Sequence, residues 1–227
     1  MPILEIENVQ YAYGKHTVLR GISIQLEQGK MYAILGPSGC GKTTLLSLLG
    51  GLDSPSSGQI IYQGEDIAKT GLANHRHNHV AFIFQSYNLI DYLTPIENVA
   101  LTAKQSPLPI LEQLGLTTEE AKRNVLKLSG GQQQRVAIAR ALASDAQVIL
   151  GDEPTGNLDE DTAAEITSIL KESAHKSGQC VVIVTHSNEL AKEADVIFKL
   201  RKGDLQISDG SEIGDKQEPK QKYRKTG

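Results

Sequence analysis

"MYAILGPSGCGKTTLLSLLG", residues 31–50, contains the pattern that decides the fold. Its apolar start, "MYAIL", has the length of a buried β-strand, and "TTLLSLL" near its end is helical in character. The loop between them, Gly36–Thr43, fits the phosphate-binding pattern G-x-x-x-x-G-K-[ST]. In such a loop backbone N–H groups surround a phosphate, Lys42 reaches its terminal oxygens and the Thr43 hydroxyl can ligate Mg²⁺. A chance glycine turn is disfavoured because strand, loop and helix agree. The predicted phosphate-binding residues are Gly36, Pro37, Ser38, Gly39, Cys40, Gly41, Lys42, Thr43 and Thr44.

Strands and helices alternate in the second half of the chain. The apolar strand patterns are "QVILGDE" from Gln147, "CVVIVTH" from Cys180 and "DVIFKL" from Asp195. The helical patterns "EDTAAEITSILKESAHKSG" and "SNELAKEA" separate them. Continuous apolar strands that alternate with helices predict a mainly parallel sheet covered on both faces. The predicted fold is therefore α/β, with a core of the P-loop NTPase type.

Two further regions have a different character. The first thirty residues read as β structure, with the alternation of "ISIQLEQGK", and predict an N-terminal antiparallel β subdomain. Between about residues 86 and 134, "LTPIENVALTA" and "TTEEAKRNVLKL" favour helices and predict an inserted helical subdomain. We expect one domain over residues 1–208 and a polar, flexible tail over residues 209–227.

The composition excludes several classes of protein. The chain has 227 residues, of which 39% are hydrophobic and 22% charged, as in ordinary globular proteins. Its net charge of −4 provides no global basic field, so nucleic acid is not a predicted partner. No apolar stretch approaches the roughly 18 residues of a membrane span, and the N-terminus lacks a secretory pattern. Cys40 and Cys180 have no paired spacing, which favours reduced thiols in the cytosol.

Polar residues at the ends of the predicted strands form a candidate catalytic set. Asp152 and Glu153 end a buried strand, where two carboxylates are costly unless a cation such as Mg²⁺ is bound. Asp152 would hold the metal together with Thr43 and Gln85, and Glu153 would polarise the attacking water. His186 ends another strand, where it could contact the γ-phosphate. Each signal has a plainer alternative, since acidic pairs often form turns and a lone strand-end histidine is often structural.

"LSGGQ", Leu128–Gln132, suggests a second phosphate cradle. A serine and two glycines precede a helical pattern, and backbone N–H groups at a helix start attract anions. Unlike the first loop, this one has no lysine. The alternative is a serine–glycine loop that only caps its own helix.

Taken in order, these motifs resemble those of the ATP-binding cassette (ABC) ATPases over about residues 3–208. The resemblance rests on the phosphate loop, Gln85, "LSGGQ", "VILGDEP", "NLD" (Asn157–Asp159) and "VTH". Within that family, "FIFQSYNLIDYLTPIENV" and "DEPTGNLD" are similar to the macrolide-export, lipoprotein-release and antimicrobial-peptide-transport branch. The cell-division ATPase of that branch is also similar.

The resemblance implies an ATPase that uses ATP and Mg²⁺ and energises a separate membrane permease. It implies that Tyr13 stacks on adenine, Glu153 is the catalytic base, His186 contacts the γ-phosphate and Asp159 lies in a loop crossing a dimer interface. Two chains would pack head to tail, so that each signature closes on the ATP held by the other. The signature residues are Ser129, Gly130, Gly131 and Gln132.

The permease is expected to dock near residues 86–100, at the cytoplasmic face of the cell membrane. The apolar and aromatic residues expected to be exposed there are Tyr87, Leu89, Ile90, Tyr92 and Leu93. The alternative function is that of the cell-division relative, which regulates an envelope enzyme by mechanotransmission and transports nothing.

Two stretches depart from the family pattern or stand outside it. "LTAKQSPLPIL", Leu101–Leu111, is shorter than usual and contains two prolines, which predicts a trimmed helical subdomain. His75, His77 and His79 occupy alternate positions that could bind a metal if the segment were a strand. A surface edge is the favoured interpretation, and no metal is predicted there. A nucleotide kinase or GTPase is disfavoured because no N-K-x-D pattern follows the loop.

Overall fold

The structure is a computed structural model that describes residues 1–208. The predicted flexible tail, residues 209–227, lies outside the described residues. Two β-sheets and nine α-helices form the described part of the chain. No helix within it is both long and apolar enough to cross a membrane.

An antiparallel sheet is built from the N-terminal part of the chain. Its strand order is β2-β1-β4-β5, and apolar residues alternate along the long strands, with Leu4 and Ile6 buried on one face. This period-2 alternation is what a sheet with one buried face requires. The strands are β1 Pro2–Tyr13, β2 His16–Glu27, β4 Ser57–Tyr62 and β5 Glu65–Asp66.

A second sheet of six strands has the order β10-β9-β3-β8-β7-β6. All its strand pairs are parallel except β10 with β9. Alternate residues of β3 pack into two different apolar clusters, so both faces of the sheet are buried. Full burial of one aliphatic side chain contributes about 1.5–3 kcal/mol to the free energy of folding. The strands are β3 Met31–Leu35, β6 Val80–Ile83, β7 Val148–Asp152, β8 Cys180–Thr185, β9 Val196–Arg201 and β10 Asp204–Ile207.

Helices cover the parallel sheet and fill the connection between β6 and β7. The longest, α8, ends where Gly178 adopts φ 70°, a left-handed conformation that glycine accepts at little cost. Outside the insertion the helices are α1 Lys42–Leu49, α2 Ile67–Thr70, α3 Leu72–Asn78, α8 Glu160–Ser177 and α9 Asn188–Lys192. Together these features confirm the predicted fold class.

Three of the four inserted helices begin with a side-chain cap. Thr94, Thr117 and Ser129 each form a reciprocal capping box with a Glu or Gln three residues later. Pro107 starts α5 at a position where the missing N–H costs nothing, which explains how a proline-containing stretch stays helical. The helices are α4 Pro95–Ala100, α5 Pro107–Gln113, α6 Thr118–Ala121 and α7 Gly130–Leu142. The exact domain boundaries remain a prediction.

Two expectations about exposure are wrong. His75 and His77 lie on helix α3, and His75 is completely buried, so the histidine-rich stretch is not a surface edge. Its Nε2 lies 3.0 Å from the carbonyl oxygen of Leu49, a polar partner that makes the burial possible. Of the five apolar and aromatic residues expected to be exposed for permease docking, only Tyr92 is exposed. The half-buried members are Tyr87, Leu89, Ile90 and Leu93.

Candidate active site

The phosphate loop connects β3 to α1, as the sequence predicts. A side chain at Gly36 would place its Cβ 2.5 Å from the carbonyl oxygen of Leu200, so only glycine fits there. Lys42 is buried, and its Nζ donates to the carbonyl oxygens of Gly36 (2.8 Å) and Pro37 (3.2 Å). The positive charge is therefore held within the loop that is predicted to bind phosphate.

Thr43 and Asp152 meet across the sheet, although 109 residues separate them in the sequence. The Thr43 hydroxyl donates to Oδ2 of Asp152 at 2.9 Å. Burial raises the pKa of Asp152, and the neighbouring Glu153 adds to this, while the Thr43 hydrogen bond and Lys42 oppose it. A cation at this point would relieve the cost of the buried carboxylate. A hydroxyl and a carboxylate are oxygen ligands of the kind Mg²⁺ prefers, so the residues present fit the metal.

Gln85, the third predicted metal ligand, is exposed two residues beyond β6. Ile83 of β6 pairs with Gly151 of β7, so Gln85 leaves the sheet at the same edge as Asp152. Its side chain makes no hydrogen bond with the Thr43–Asp152 pair, and its role as a ligand remains a prediction.

Glu153 lies next to His186 at the ends of adjacent strands. The Thr185 hydroxyl donates to its Oε2 at 3.0 Å, and Nδ1 of His186 lies 2.9 Å from its Oε1. The Glu153 side chain is only 11% exposed and its backbone has φ 47°, a strained conformation for a non-glycine residue. The sequence analysis missed Thr185, for which the only signal is its place before His186.

His186 also links the carboxylate to the phosphate loop. It lines one groove of about 260 Å³ together with Gly36, Pro37 and Lys199. It lines a second groove, of about 360 Å³, together with Glu153 and Glu189. A γ-phosphate contact through Nε2, in addition to the bond to Glu153, would require protons on both ring nitrogens.

Tyr13 ends β1 with 60% of its surface exposed. Its ring is perpendicular to that of Tyr11, with the centroids 5.0 Å apart. An exposed ring at the end of a strand is compatible with stacking on a base, which remains a prediction.

The "LSGGQ" residues start helix α7. Oγ of Ser129 accepts a hydrogen bond from the backbone N–H of Gln132 (3.3 Å), and Oε1 of Gln132 accepts one from the N–H of Ser129 (3.0 Å). The serine therefore does cap its own helix. Because it acts there as an acceptor, its hydroxyl proton can still be donated to another group. Ser129 and Gly130 are exposed, and no described hydrogen bond joins this motif to the phosphate loop of the same chain.

Asp159, in the "NLD" loop, is the N-cap of helix α8. Its Oδ1 accepts from the backbone N–H of Thr162 at 3.0 Å, and this bond lowers the pKa of Asp159. The residue is exposed, so the loop is accessible to a second chain.

Comparisons with known proteins agree with this arrangement. A family model described as "ABC transporter" matches residues 19–156. The chain is 42% identical over 221 residues to the ABC transporter ATP-binding protein YclH of Bacillus subtilis, covering 92% of this chain and 98% of that protein. It is 41% identical to the macrolide export ATP-binding/permease protein MacB 2 of Aeromonas hydrophila, covering 92% of this chain but 35% of that longer protein.

Two solved structures of the bacterial cassette MJ0796 have the same fold. A dimeric form superposes with a TM-score of 0.82 at 34% identity, covering 90% of this chain and 98% of that one. A dimeric post-hydrolysis form bound to ADP and Pi superposes with a TM-score of 0.83 at 33% identity, covering 91% and 98%.

Proposed function

Because the chain belongs to the ABC transporter family as an ATP-binding subunit, we propose that it hydrolyses ATP to energise a separate membrane permease. The observation on which this rests is the meeting of four motif residues at one sheet edge. Thr43 of the phosphate loop bonds to Asp152, and Glu153 follows with His186 beside it.

Each residue has a defined task in this proposal. Lys42 and the loop N–H groups bind the phosphates, and Glu153 accepts a proton from the attacking water. His186 and Thr185 hold the Glu153 carboxylate in place. Thr43, Asp152 and Gln85 would hold Mg²⁺, which neutralises phosphate charge when bound. Tyr13 would stack on the adenine.

The test is a Glu153→Gln chain. It should bind ATP as the wild type does but hydrolyse it about 10²–10⁴-fold more slowly, because the amide cannot accept the proton. Glu189→Gln is the matched control, since Glu189 lines the same groove and should tolerate the change. Near-normal turnover of Glu153→Gln would contradict the assignment.

We further propose that two copies associate head to tail with two ATP molecules between them. The exposed Ser129 hydroxyl would donate to the γ-phosphate held by Lys42 of the other copy, and Asp159 would lie at the interface. The dimeric MJ0796 cassette, similar in fold and sequence, supports the association of two copies. The head-to-tail arrangement also explains why the signature needs no lysine, since Lys42 of the other copy already holds the γ-phosphate.

A mixture of Lys42→Ala and Ser129→Arg chains tests the head-to-tail arrangement. In a mixed pair one site combines both changes, whereas the other has an intact Lys42 and an intact signature. Association driven by ATP should therefore be stronger for the mixture than for either variant alone. If Ser129→Arg abolishes ATP binding to the monomer, the signature serves its own phosphate loop and the proposal is wrong.

We propose that the permease docks in a groove between the parallel sheet and the inserted helices, at the cytoplasmic face of the membrane. The groove has a volume of about 630 Å³ and is lined by the stacked rings of Phe82 and Phe84 and by exposed Leu101. It adjoins the end of the 86–100 segment. The names of MacB and of the pyoverdine exporter PvdT of Pseudomonas fluorescens join an ATP-binding part to a permease part, which supports export as the function.

A Leu101→Asp chain should hydrolyse ATP at the basal rate but lose stimulation by its permease, because a docked permease would bury a carboxylate where it now covers an apolar side chain. Leu52→Asp is the control, as Leu52 is also exposed but does not line the groove. Full stimulation of Leu101→Asp would place the docking site elsewhere.

A further inference from the structure

Tyr87 and Asn88 have an unusual backbone conformation. Their φ angles are 63° and 48°, both in the left-handed region, and they follow Gln85 closely. Two adjacent non-glycine residues adopt this region only where the surrounding structure holds them there. The corner therefore needs a specific set of contacts.

Arg140 of helix α7 provides the first contacts. Its guanidinium donates to the carbonyl oxygen of Asn88 at 2.7 Å and to that of Tyr87 at 3.1 Å. The rigid fork of donors matches two carbonyl oxygens that the left-handed corner turns to the same side. The backbone after Gln85 is in this way fixed to the helix that begins at the signature.

The side chain of Tyr87 makes the second set of contacts. Its hydroxyl accepts from Nδ2 of Asn157 at 3.3 Å. A Cβ built on Gly130 would lie only 3.1 Å from the same hydroxyl, so the tyrosine lies against the first residue of α7. A Cβ on Gly131 would lie 3.4 Å from Leu158. The two glycines thus allow the "NLD" loop and the Tyr87 segment to approach the helix start closely.

We propose that Tyr87 is a positioning residue that connects the Gln85 loop to the "LSGGQ" and "NLD" loops within one chain. We call Tyr87 with Arg140 and Asn157 the Tyr87 latch. The inference rests on the proposed function, because those loops matter only if they act on ATP. In the head-to-tail dimer Gln85 serves the chain's own ATP, whereas Ser129 serves the partner's ATP and Asp159 lies at the interface. The latch therefore couples the two ATP sites.

Three variants of the full chain test the latch. Tyr87→Phe removes only the hydroxyl, Asn157→Ala removes the donor, and the third chain combines both changes. Tyr92→Phe is the matched control, because it makes the same change at an exposed tyrosine of the same segment. The measurements are kcat and KM for ATP, the melting temperature, and backbone amide exchange of the nucleotide-free chain.

We expect each single latch variant to lower kcat by about threefold to tenfold, as loss of one hydrogen bond allows, with KM unchanged and the melting temperature lowered by no more than about 2–4 °C. The combined variant should be no slower than the slower single variant, because both changes break one bond. Amide exchange should rise at residues 129–132 and 156–159 in Tyr87→Phe but not in Tyr92→Phe.

The latch is overturned if Tyr87→Phe matches Tyr92→Phe in both kcat and amide exchange. It is also overturned if the losses in kcat multiply in the combined variant, since the two residues would then act independently. A wild-type chain without ATPase activity would refute the proposed function instead. Amide exchange, which needs no turnover, would then decide on the latch alone.

Discussion

The buried side chain of His75 has polar partners that cannot be recognised from the sequence. With Nε2–H donating to the carbonyl oxygen of Leu49, its Nδ1 must accept from Nδ1–H of His79, 3.3 Å away. The ring of Tyr62 closes the cluster, stacked on His79 and edge-on to His75. This arrangement needs the His75 imidazole to be neutral, and burial lowers the pKa of both histidines.

The buried histidine predicts a loss of stability in mild acid. An unfolded chain binds a proton at His75 near pH 6.5, whereas the folded chain resists it. The stabilisation is therefore complete above that pH and is lost as the pH falls through the lowered folded pKa. The free energy of unfolding should fall by at most about 1.4 kcal/mol per pH unit for this one proton. Urea unfolding between pH 7 and pH 5 measures it.

In a His75→Gln chain the free energy of unfolding should depend less on pH between pH 7 and pH 5, since the amide can still donate to the carbonyl oxygen of Leu49 but does not titrate. His77→Gln is the control, because His77 lies exposed on the same helix. Equal slopes for His75→Gln and the wild type would show that His75 does not cause the loss.

Sequence reasoning predicted the positions of residues that belong to local patterns, while their roles stay predictions. The phosphate loop, Asp152, Glu153 and His186 all lie at ends of strands, and parallel strands bring such ends to one edge. It failed for Thr185, Tyr87 and His75, whose partners come from distant segments. Such contacts depend on how elements pack, which no local pattern reports.

At the scale of elements, helix α7 connects the parts of the site. It begins with Ser129 as its cap, and its buried Gln134 donates to the carbonyl oxygen of Pro154, beside Glu153, at 2.7 Å. Arg135 donates to the carbonyl oxygen of Leu114 and to Oγ1 of Thr162. The helix therefore contacts the loop after β7, the inserted helices and the start of α8.

If Ser129 both caps helix α7 and donates to the γ-phosphate of the other copy, different substitutions should remove the two roles separately. Ser129→Ala should lose about 0.5–2 kcal/mol of unfolding free energy with the cap, whereas Ser129→Asp should keep it, since aspartate is an equally good cap. When Glu153→Gln blocks hydrolysis, neither variant should form a dimer in the presence of ATP, because neither side chain can donate to the γ-phosphate. Chemical denaturation and light scattering measure the two effects. Normal association of Ser129→Asp would contradict the phosphate contact.

Periodicity was sufficient to predict most helices and strands, and it failed where polarity and burial disagree. The helix Leu72–Asn78 was missed because its polar sequence shows no apolar face. Exposure of residues 87–93 was overestimated because the inserted helices cover part of that segment, with Leu89 packed against their core.

At the scale of the whole molecule, the site depends on the order of strands in the parallel sheet. Strand β8 lies between β3, which leads into the phosphate loop, and β7, which ends in Asp152. A chain ending at Ser177 keeps Lys42, Asp152 and Glu153 but loses the strand that holds them together. We expect it not to bind a fluorescent ATP analogue, whereas a control chain ending at Ser208 binds it. Binding by the shorter chain would show that β8 is dispensable.

The same strand order determines which strands can pair while the chain is still being synthesised. The antiparallel sheet uses only residues 2–66, so its strands can pair early. Strand β3 cannot pair with β8 until Val181, the partner of Met31, has been synthesised about 150 residues later. At translation rates of about 5–20 residues per second, the delay is about 8–30 s. During that time the five apolar residues of β3, all buried in the finished fold, remain open to chaperones on the ribosome. We therefore expect an unfinished copy to be unable to capture ATP until its last strands have emerged.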